Sequence, residues 1–165
     1  MAVTLEGVLH DMSFFRDATK LDPTIRILSL KVDGWVGVKQ LVFRAQMQGK
    51  SQTSYLTYIM FNQVDFQEEK DDTHDIPVDV DGKVFYAAAP DLRKNTIRLK
   101  CSCADFRFRF AKELYDVGAL IGNWQRYVPV PGSARGPVNP EHRLGLCKHC
   151  YSLLTNLERM DYITE

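Results

Sequence analysis

Long apolar runs and an excess of either charge are both missing from this chain. No stretch approaches the roughly 20 apolar residues that a membrane-spanning helix needs, and residues 1–7 carry no signal-peptide pattern. Twenty-one basic residues balance 21 acidic ones, so no overall field favours nucleic acid, anionic lipid or an acidic substrate. We therefore expect no membrane partner, and synthesis in a reducing cytoplasm where thiols outnumber disulfides.

The familiar enzyme motifs are also missing. The chain has no glycine-rich phosphate loop, no Gly-x-Ser-x-Gly elbow and no His-Glu-x-x-His pair. We therefore expect neither an enzyme nor a small-molecule substrate. Its 45% hydrophobic and 25% charged residues are those of an ordinary globular protein.

Hydrophobic periodicity predicts an α+β fold. Helical spacing predicts an N-terminal helix over 3–17 capped by Thr4, a helix over 105–117 capped by Asp105, and a helix over 147–160. The predicted strands are 38–48, 54–64, 83–88 and 96–103, with 25–31 either a strand or a short helix. Residues 65–82 are acidic and turn-rich, which predicts a largely exposed loop, and 129–140 form a Pro-rich loop.

These elements suggest antiparallel hairpins between an N-terminal helix and two C-terminal helices that the Pro-rich loop joins. We divide the chain into an N-terminal helix plus β-rich part (1–95) and a metal-binding part (96–165), expected to pack as one unit.

All four cysteines lie within 50 residues, in two tight groups. Cys101 and Cys103 end a predicted strand, and its period of two places both thiols on one side. Cys147 and His149 open a predicted helix, where the residue before the helix and one in the first turn supply two further ligands. Three thiolates and an imidazole make a closed tetrahedral site of the structural type. We therefore predict one metal ion, with zinc favoured, that fastens the sheet to the last helix.

The identity of the fourth ligand stays open. Cys150 lies three residues after Cys147, so an all-cysteine set without His149 is an alternative, and it admits an iron–sulfur cluster. Buried core thiols and two disulfides are weaker alternatives. Of the other histidines, His142 is the best substitute ligand because it lies closest in sequence.

A run of arginines and phenylalanines follows the first cysteine pair. It suggests a contact surface for nucleic acid or protein, which consists of Arg107, Arg109, Arg126 and Arg135. The simpler interpretation is that the phenylalanines pack inward and the arginines form a solvated face. We favour that interpretation, which disfavours nucleic acid as a partner.

Two family resemblances rest on these motifs. The order Cys-x-Cys (101–103) followed by Cys-x-His (147–149) resembles the SWIM-type zinc finger. That family is credited with binding DNA or protein, and it implies zinc as the cofactor with Cys101, Cys103, Cys147 and His149 as ligands. The spacer is longer in this chain than in a simple finger.

A longer pattern covers roughly the C-terminal third. Residues 101–110, 128–140 and 145–149 together resemble small structural proteins of tailed bacteriophages. The resemblance implies a non-enzymatic virion component, of the baseplate or neck, made in the bacterial host cytoplasm and bound to other virion proteins. A nucleic-acid-binding module and an iron–sulfur or thiol redox protein are the alternative functions.

Overall fold

The computed structural model describes residues 2–14, 19–49, 51–126 and 139–165. Most of the predicted Pro-rich loop, together with residues 15–17 of the predicted first helix, lies outside these ranges. Within the described ranges, no helix combines the length and apolar character that a membrane crossing requires.

The N-terminal helix, α1, spans Leu5–Ser13. Thr4 caps it as predicted, because its Oγ1 accepts a hydrogen bond of 3.2 Å from the Gly7 N–H. Leu5, Val8 and Met12 lie on one side of the helix and are buried. This stripe fixes which face of α1 packs on the rest of the molecule.

Four antiparallel strands form the larger sheet, in the order β1-β2-β3-β7. Their bounds are Arg26–Trp35 for β1, Gln40–Gln48 for β2, Ser54–Asn62 for β3 and Ile97–Cys101 for β7. Alternate residues face the core, so Phe43, Ile59 and Leu99 are fully buried. The strands predicted at 38–48, 54–64 and 96–103 are confirmed over 40–48, 54–62 and 97–101, so Cys103 lies beyond the strand that was predicted to contain it. Segment 25–31 belongs to a strand rather than a helix.

A second, three-stranded sheet has the order β4-β6-β5. Its strands are Phe66–Gln67 for β4, His74–Val80 for β5 and Lys83–Ala88 for β6, the last as predicted. The prediction that 65–82 is an exposed loop is therefore wrong over β4 and β5. Ile76 and Val78 are buried at 1% exposure, and burial of such alternate apolar residues stabilises a strand despite its acidic neighbours.

The helical segment after β7 differs from its prediction at its start. It continues through a π-helical stretch, Phe106–Phe110, into α2, Ala111–Asp116. Asp105 is not the predicted cap, because it already has helical dihedral angles and makes no capping hydrogen bond. Its carboxylate instead lies 3.3 Å from Arg109 Nε.

The last helix, α3, spans Lys148–Arg159. Cys150, Leu153 and Leu157 are buried as its spacing predicts, whereas Met160 lies beyond the helix end and is 46% exposed. The prediction that Met160 continues the buried stripe is therefore wrong. α3 packs against β3 and β7, on the core side of the larger sheet.

One connected set of buried apolar side chains joins α1, both sheets, the π-helical stretch, α2 and α3. The predicted α+β class, with antiparallel sheets, an N-terminal helix and two C-terminal helical segments, is confirmed. The boundary at residues 95/96 falls just before β7, which pairs with β3 in the same sheet.

Candidate metal centre

The first two candidate ligands lie at the end of β7. Cys101 is its last residue and alternates with buried Leu99 and Ile97, so its side chain faces the core. Cys103 follows two residues later, and both thiols are almost fully buried, at 5% and 4% exposure. The chain thus presents two adjacent sulfurs where the sheet ends and the next helix begins.

The other two candidates lie at the N-terminus of α3. Cys147 is its N-cap residue, with extended dihedral angles, and His149 lies in the first turn. The His149 ring is 2% exposed and packs against the Tyr55 ring at a centroid distance of 4.6 Å. Because α3 packs on β3 and β7, these residues meet the two thiols that follow the strand.

The structure brings the four predicted residues together. One ligand atom from each of Cys101, Cys103, Cys147 and His149 lies within 4.8 Å of the others. Tetrahedral zinc, with Zn–S bonds of about 2.3 Å, spaces its sulfur ligands about 3.8 Å apart. The ligand atoms are therefore spaced within about an ångström of the separations that one tetrahedral zinc ion requires.

The histidine supplies an independent test of fit. His149 Nδ1 is buried and has no hydrogen-bond partner among the described residues. A buried ring nitrogen without a partner is destabilising by roughly 1–3 kcal/mol. Coordination of a metal ion through Nδ1 would satisfy this nitrogen, so the donor set fits a bound cation.

Two of the candidate ligand sulfurs also take part in hydrogen bonds. The Thr57 Oγ1 lies 3.4 Å from Cys101 Sγ, and Thr57 is fully buried in β3 opposite Cys101. The Phe106 N–H donates to Cys103 Sγ over 3.3 Å. Donors of this kind stabilise thiolates and orient them toward a metal. The sequence offered no signal for Thr57, because its position depends on the register of β3 against β7.

The cysteines also perturb one another electrostatically. Hydrogen bonding from the Cys103 and Cys147 thiols lowers the pKa of Cys101. Hydrogen bonding with Cys101 raises the pKa of Cys103, and burial raises the pKa of Cys147. One thiolate is therefore favoured, while ionising all three thiols together requires a cation to offset their mutual repulsion.

The fourth cysteine is next to the group but outside it. Cys150 is fully buried, and hydrogen bonding with Cys101 raises its pKa. The set of mutually close ligand atoms contains His149 and not Cys150. All four cysteines are free thiols, so the alternative of two disulfides does not hold.

The segment that leads into Cys147 is held from three sides. The Asp11 carboxylate of α1 accepts hydrogen bonds from the Leu144 N–H, at 2.5 Å, and the Arg143 guanidinium, at 3.0 Å. The Leu146 N–H donates to Met12 Sδ over 3.4 Å. A Cβ added at Gly145 would lie within 3.0 Å of atoms of the Phe110 ring. The N-terminal helix therefore positions the ligand that begins α3.

The arginines of the predicted contact surface do not form one surface. Arg109 is turned inward, where it donates to Thr19 Oγ1 over 2.7 Å, pairs with Asp105 and lies over the Phe110 ring. Arg107 and Arg126 are exposed, and Arg135 lies outside the described residues. The expectation that these arginines form a solvated face is therefore wrong for Arg109.

The phenylalanines of the run are also split. Phe106 and Phe110 are buried, whereas Phe108 is 43% exposed. The expectation that all of them pack inward is therefore wrong for Phe108.

The remaining histidines lie elsewhere in ordinary surroundings. His142 Nδ1 lies 2.9 Å from Glu113 Oε1, and its side chain is 70% exposed. It is not part of the mutually close ligand set, so the structure does not support it as a substitute ligand.

No family model matches this chain, and comparisons with curated proteins and with solved structures find no match either. The functional conclusion below therefore rests on the geometry of the site and on the motif resemblances.

Proposed function

We propose that this chain is a non-enzymatic structural subunit whose fold is fastened by one zinc ion at Cys101, Cys103, Cys147 and His149. The observation that carries the proposal is the convergence of these four buried residues. His149 among them also has a buried ring nitrogen, Nδ1, without a hydrogen-bond partner among the described residues. Following the motif resemblance, we place the subunit in the particle of a tailed phage, at the baseplate or neck.

The number and burial of the donors support a structural role. Catalytic zinc sites keep one position open for water or substrate, whereas structural sites use four protein ligands. All four residues are 5% exposed or less, so solvent has little access to the ion. A metal held in this way stabilises the fold and leaves no coordination position for a reactant.

The position of the ligands explains what the ion would fasten. It would join the end of β7 to the start of α3 and so close the long connection between residues 103 and 147. Closing a loop of this length is entropically unfavourable. Structural zinc contributes on the order of 10 kcal/mol in small metal-binding domains, which is enough to offset that loss.

The donor set favours zinc over other metals. Thiolates and imidazole are soft or borderline ligands, and tetrahedral coordination by three sulfurs and one nitrogen is typical of zinc. An iron–sulfur cluster needs Cys150 in place of His149 and is the competing assignment.

Elemental analysis of the purified chain tests the metal. We expect one zinc per chain and no visible absorption. His149→Ala should lose the zinc, whereas His149→Cys should retain it, because a fourth thiolate restores a closed set. Retention by the cysteine variant separates loss of a ligand from general misfolding.

Two matched variants identify the fourth ligand. Cys150→Ala and His142→Ala should both keep stoichiometric zinc. If Cys150→Ala loses the metal while His149→Ala keeps it, or if the protein is coloured and contains iron, the proposed ligand set is wrong.

The virion assignment has a separate test. Quantitative mass spectrometry of particles from a phage that encodes this chain should find it in fixed stoichiometry with the tail proteins. Absence of the chain from purified particles contradicts that assignment and leaves the zinc site untouched.

A further inference from the structure

The outer face of the larger sheet carries a concentration of positive charge. Because alternate residues face opposite sides, the register places five cations on the face away from the core: Arg26, Lys31, Arg44, Arg98 and Lys100. Asp33 is the one carboxylate on this face among the described strand residues, and it pairs with Lys31 at 3.1 Å. We call this surface the basic face.

A row of apolar side chains divides the basic face. Leu56, Tyr58 and Met60 project from β3, the strand between β2 and β7, and Leu56 is 46% exposed. Arg44 and Lys100 lie directly across from Tyr58 on its two neighbouring strands. Neither makes an ion pair among the described residues. The surface therefore offers an apolar centre with positive charge on both sides.

The complementary surface is on the same chain. Residues 65–82, which we call the acidic segment, contain eight carboxylates against one lysine and one histidine. Five of them form no ion pair within the described residues: Glu69, Asp72, Asp75, Asp79 and Asp81. On the outer side of its sheet, Val84 is 43% exposed and lies opposite Asp79. This surface also has an apolar centre, and its flanks are negative.

The two surfaces of one molecule cannot meet. The smaller sheet approaches the core side of β1, where a Cβ at Gly34 would lie 2.8 Å from Val78 Cγ1. Gly34 pairs with Leu41, which faces the core. The acidic segment therefore lies on the side of β1 opposite the basic face, and both surfaces stay uncompensated within one chain.

We propose that the basic face of one copy binds the acidic segment of a second copy, so that copies associate head to tail. Opposite charges would meet at the flanks, and Leu56 and Val84 would be covered at the centre. The two patches differ, so the contact is heterologous and generates a ring or an open row of subunits. This inference goes beyond the proposed function and does not depend on the metal.

The size of the surfaces sets the expected strength. Three strands at about 4.8 Å spacing make the smaller sheet about 14 Å wide. A patch of this width buries less surface than a stable interface, which buries roughly 1,200–2,000 Å². Association should therefore be weak in dilute solution and strengthen as salt is lowered. Neighbouring contacts in an assembly would reinforce it.

Sedimentation of the zinc-loaded chain at several concentrations tests the proposal. At about 10 mM salt, where the screening length is roughly 30 Å, the average mass should rise above the 18.9 kDa monomer with concentration. At about 1 M salt, where the screening length is roughly 3 Å, it should return to the monomer. A monomer at low salt and the highest attainable concentration overturns the proposal.

Charge-swapped variants identify the surfaces. Arg44→Glu, Arg98→Glu and Lys100→Glu together leave the basic face with two cations against four carboxylates. Glu69→Lys, Asp72→Lys, Asp75→Lys and Asp81→Lys together give the acidic segment five lysines against four carboxylates. Each of these variants alone should stay monomeric at low salt, while an equimolar mixture should associate, since the unchanged acidic segment of the first variant then meets the unchanged basic face of the second. A wild-type circular dichroism spectrum confirms that both variants fold. A mixture that stays monomeric overturns the proposal.

A control variant and one competing ligand complete the test. Lys20→Glu with Arg107→Glu reverses two exposed charges outside both surfaces and should leave association unchanged. Failure of this control to associate would show a nonspecific charge effect and overturn the proposal. Binding of a single-stranded oligonucleotide to the basic face without self-association would assign the face to nucleic acid and overturn the proposal as well.

Discussion

Two clusters built around a histidine satisfy their ring nitrogens in opposite ways. His149 is buried with three thiols, and its Nδ1 has no partner among the described residues. His74 lies in the smaller sheet, with Nε2 3.2 Å from Asp65 Oδ2 and Nδ1 3.1 Å from Asp71 Oδ1. Both carboxylates are at least half exposed.

Burial of the side chains, more than their residue types, therefore decides which cluster requires a bound cation. Carboxylates already satisfy both nitrogens of His74, and water screens the pairs, so each is worth about 1 kcal/mol or less. The thiols and His149 have little solvent and no charge partner among the described residues. A cation is the simplest way to satisfy them together.

Removing one histidine at a time is the most direct test of the contrast between the two clusters. His149→Ala should lower the free energy of unfolding by several kcal/mol in zinc-loaded protein, because the metal is lost with it. His74→Ala should lower it by less than about 1 kcal/mol. Urea denaturation monitored by circular dichroism measures both.

A chelator provides the control for this pair. Excess chelator should erase most of the difference between wild type and His149→Ala, yet leave the effect of His74→Ala unchanged. Equal losses for the two variants before chelation would contradict the contrast between the clusters.

The tight packing behind the metal centre gives the next largest effect. Gly145→Ala would place a Cβ against the Phe110 ring, and overpacking of this kind lowers stability by about 1–3 kcal/mol. Gly37→Ala is the matched control, since its Cβ would have no atom within 4 Å. Thermal unfolding should show a lower midpoint for Gly145→Ala and a change near zero for Gly37→Ala.

Removing the contacts from α1 should lower stability by a smaller amount, and it should also lower the affinity for zinc. Asp11→Ala leaves the Leu144 N–H and the Arg143 guanidinium without their acceptor, which lowers stability by about 1–2 kcal/mol. Because Cys147 is then less well positioned, zinc affinity should fall, as competition with a chromogenic chelator will measure.

A control separates positioning from stability in that experiment. Glu6→Ala removes an exposed α1 carboxylate that pairs with Arg93 at 3.2 Å, far from the ligand segment in sequence. It should leave zinc affinity unchanged. If Asp11→Ala loses stability but keeps wild-type affinity, Asp11 supports the fold without positioning the ligand.

The exposed cluster gives the smallest effect, a dependence on pH. Burial opposes protonation of His74, but its hydrogen bonds to the Asp71 and Asp65 carboxylates outweigh burial and raise the pKa of His74 above the ordinary 6.5. Its stabilising contribution is therefore complete below pH 6.5 and is lost as the pH rises through the raised pKa. Hydrogen bonding from Gln67 and from the 73–74 backbone lowers the pKa of Asp71, so that carboxylate contributes above pH 3.8 and less in acid.

Titration of the His74 ring by NMR measures this effect directly. The midpoint should lie above 6.5 in the wild type and fall toward 6.5 in Asp71→Asn. A wild-type midpoint at or below 6.5 would contradict the proposed ion pairing.

The cysteine pattern predicted the site because its chemistry follows from spacing alone. A period of two puts Cys101 on the same side of β7 as Ile97 and Leu99, and a helix start holds Cys147 and His149 close together. Nothing in the sequence separates His149 from Cys150, since the choice depends on how α3 is rotated about its axis against the sheet.

The acidic segment shows where composition misled the prediction. Ile76, Val78 and Val80 alternate as a strand requires, but acidic neighbours and Pro77 obscure the pattern. Proline is tolerated because β5 is an edge strand whose free side needs no N–H donor. Asp81 and Gly82, with φ angles of 53° and 85°, form the hairpin turn between β5 and β6. An Asp-Gly pair is a strong sequence signal for such a turn, and the prediction of a loop did not take it into account.

The contacts of α1 have a consequence for the order of synthesis. Asp11 meets Arg143 and Leu144 more than 130 positions later in the chain, and Thr4 pairs with Thr96. During synthesis, Asp11 of α1 therefore emerges more than 130 residues before Arg143 and Leu144. Until then Asp11 has neither of these partners, and a chain that stops before Arg143 would lack this support for α1 altogether.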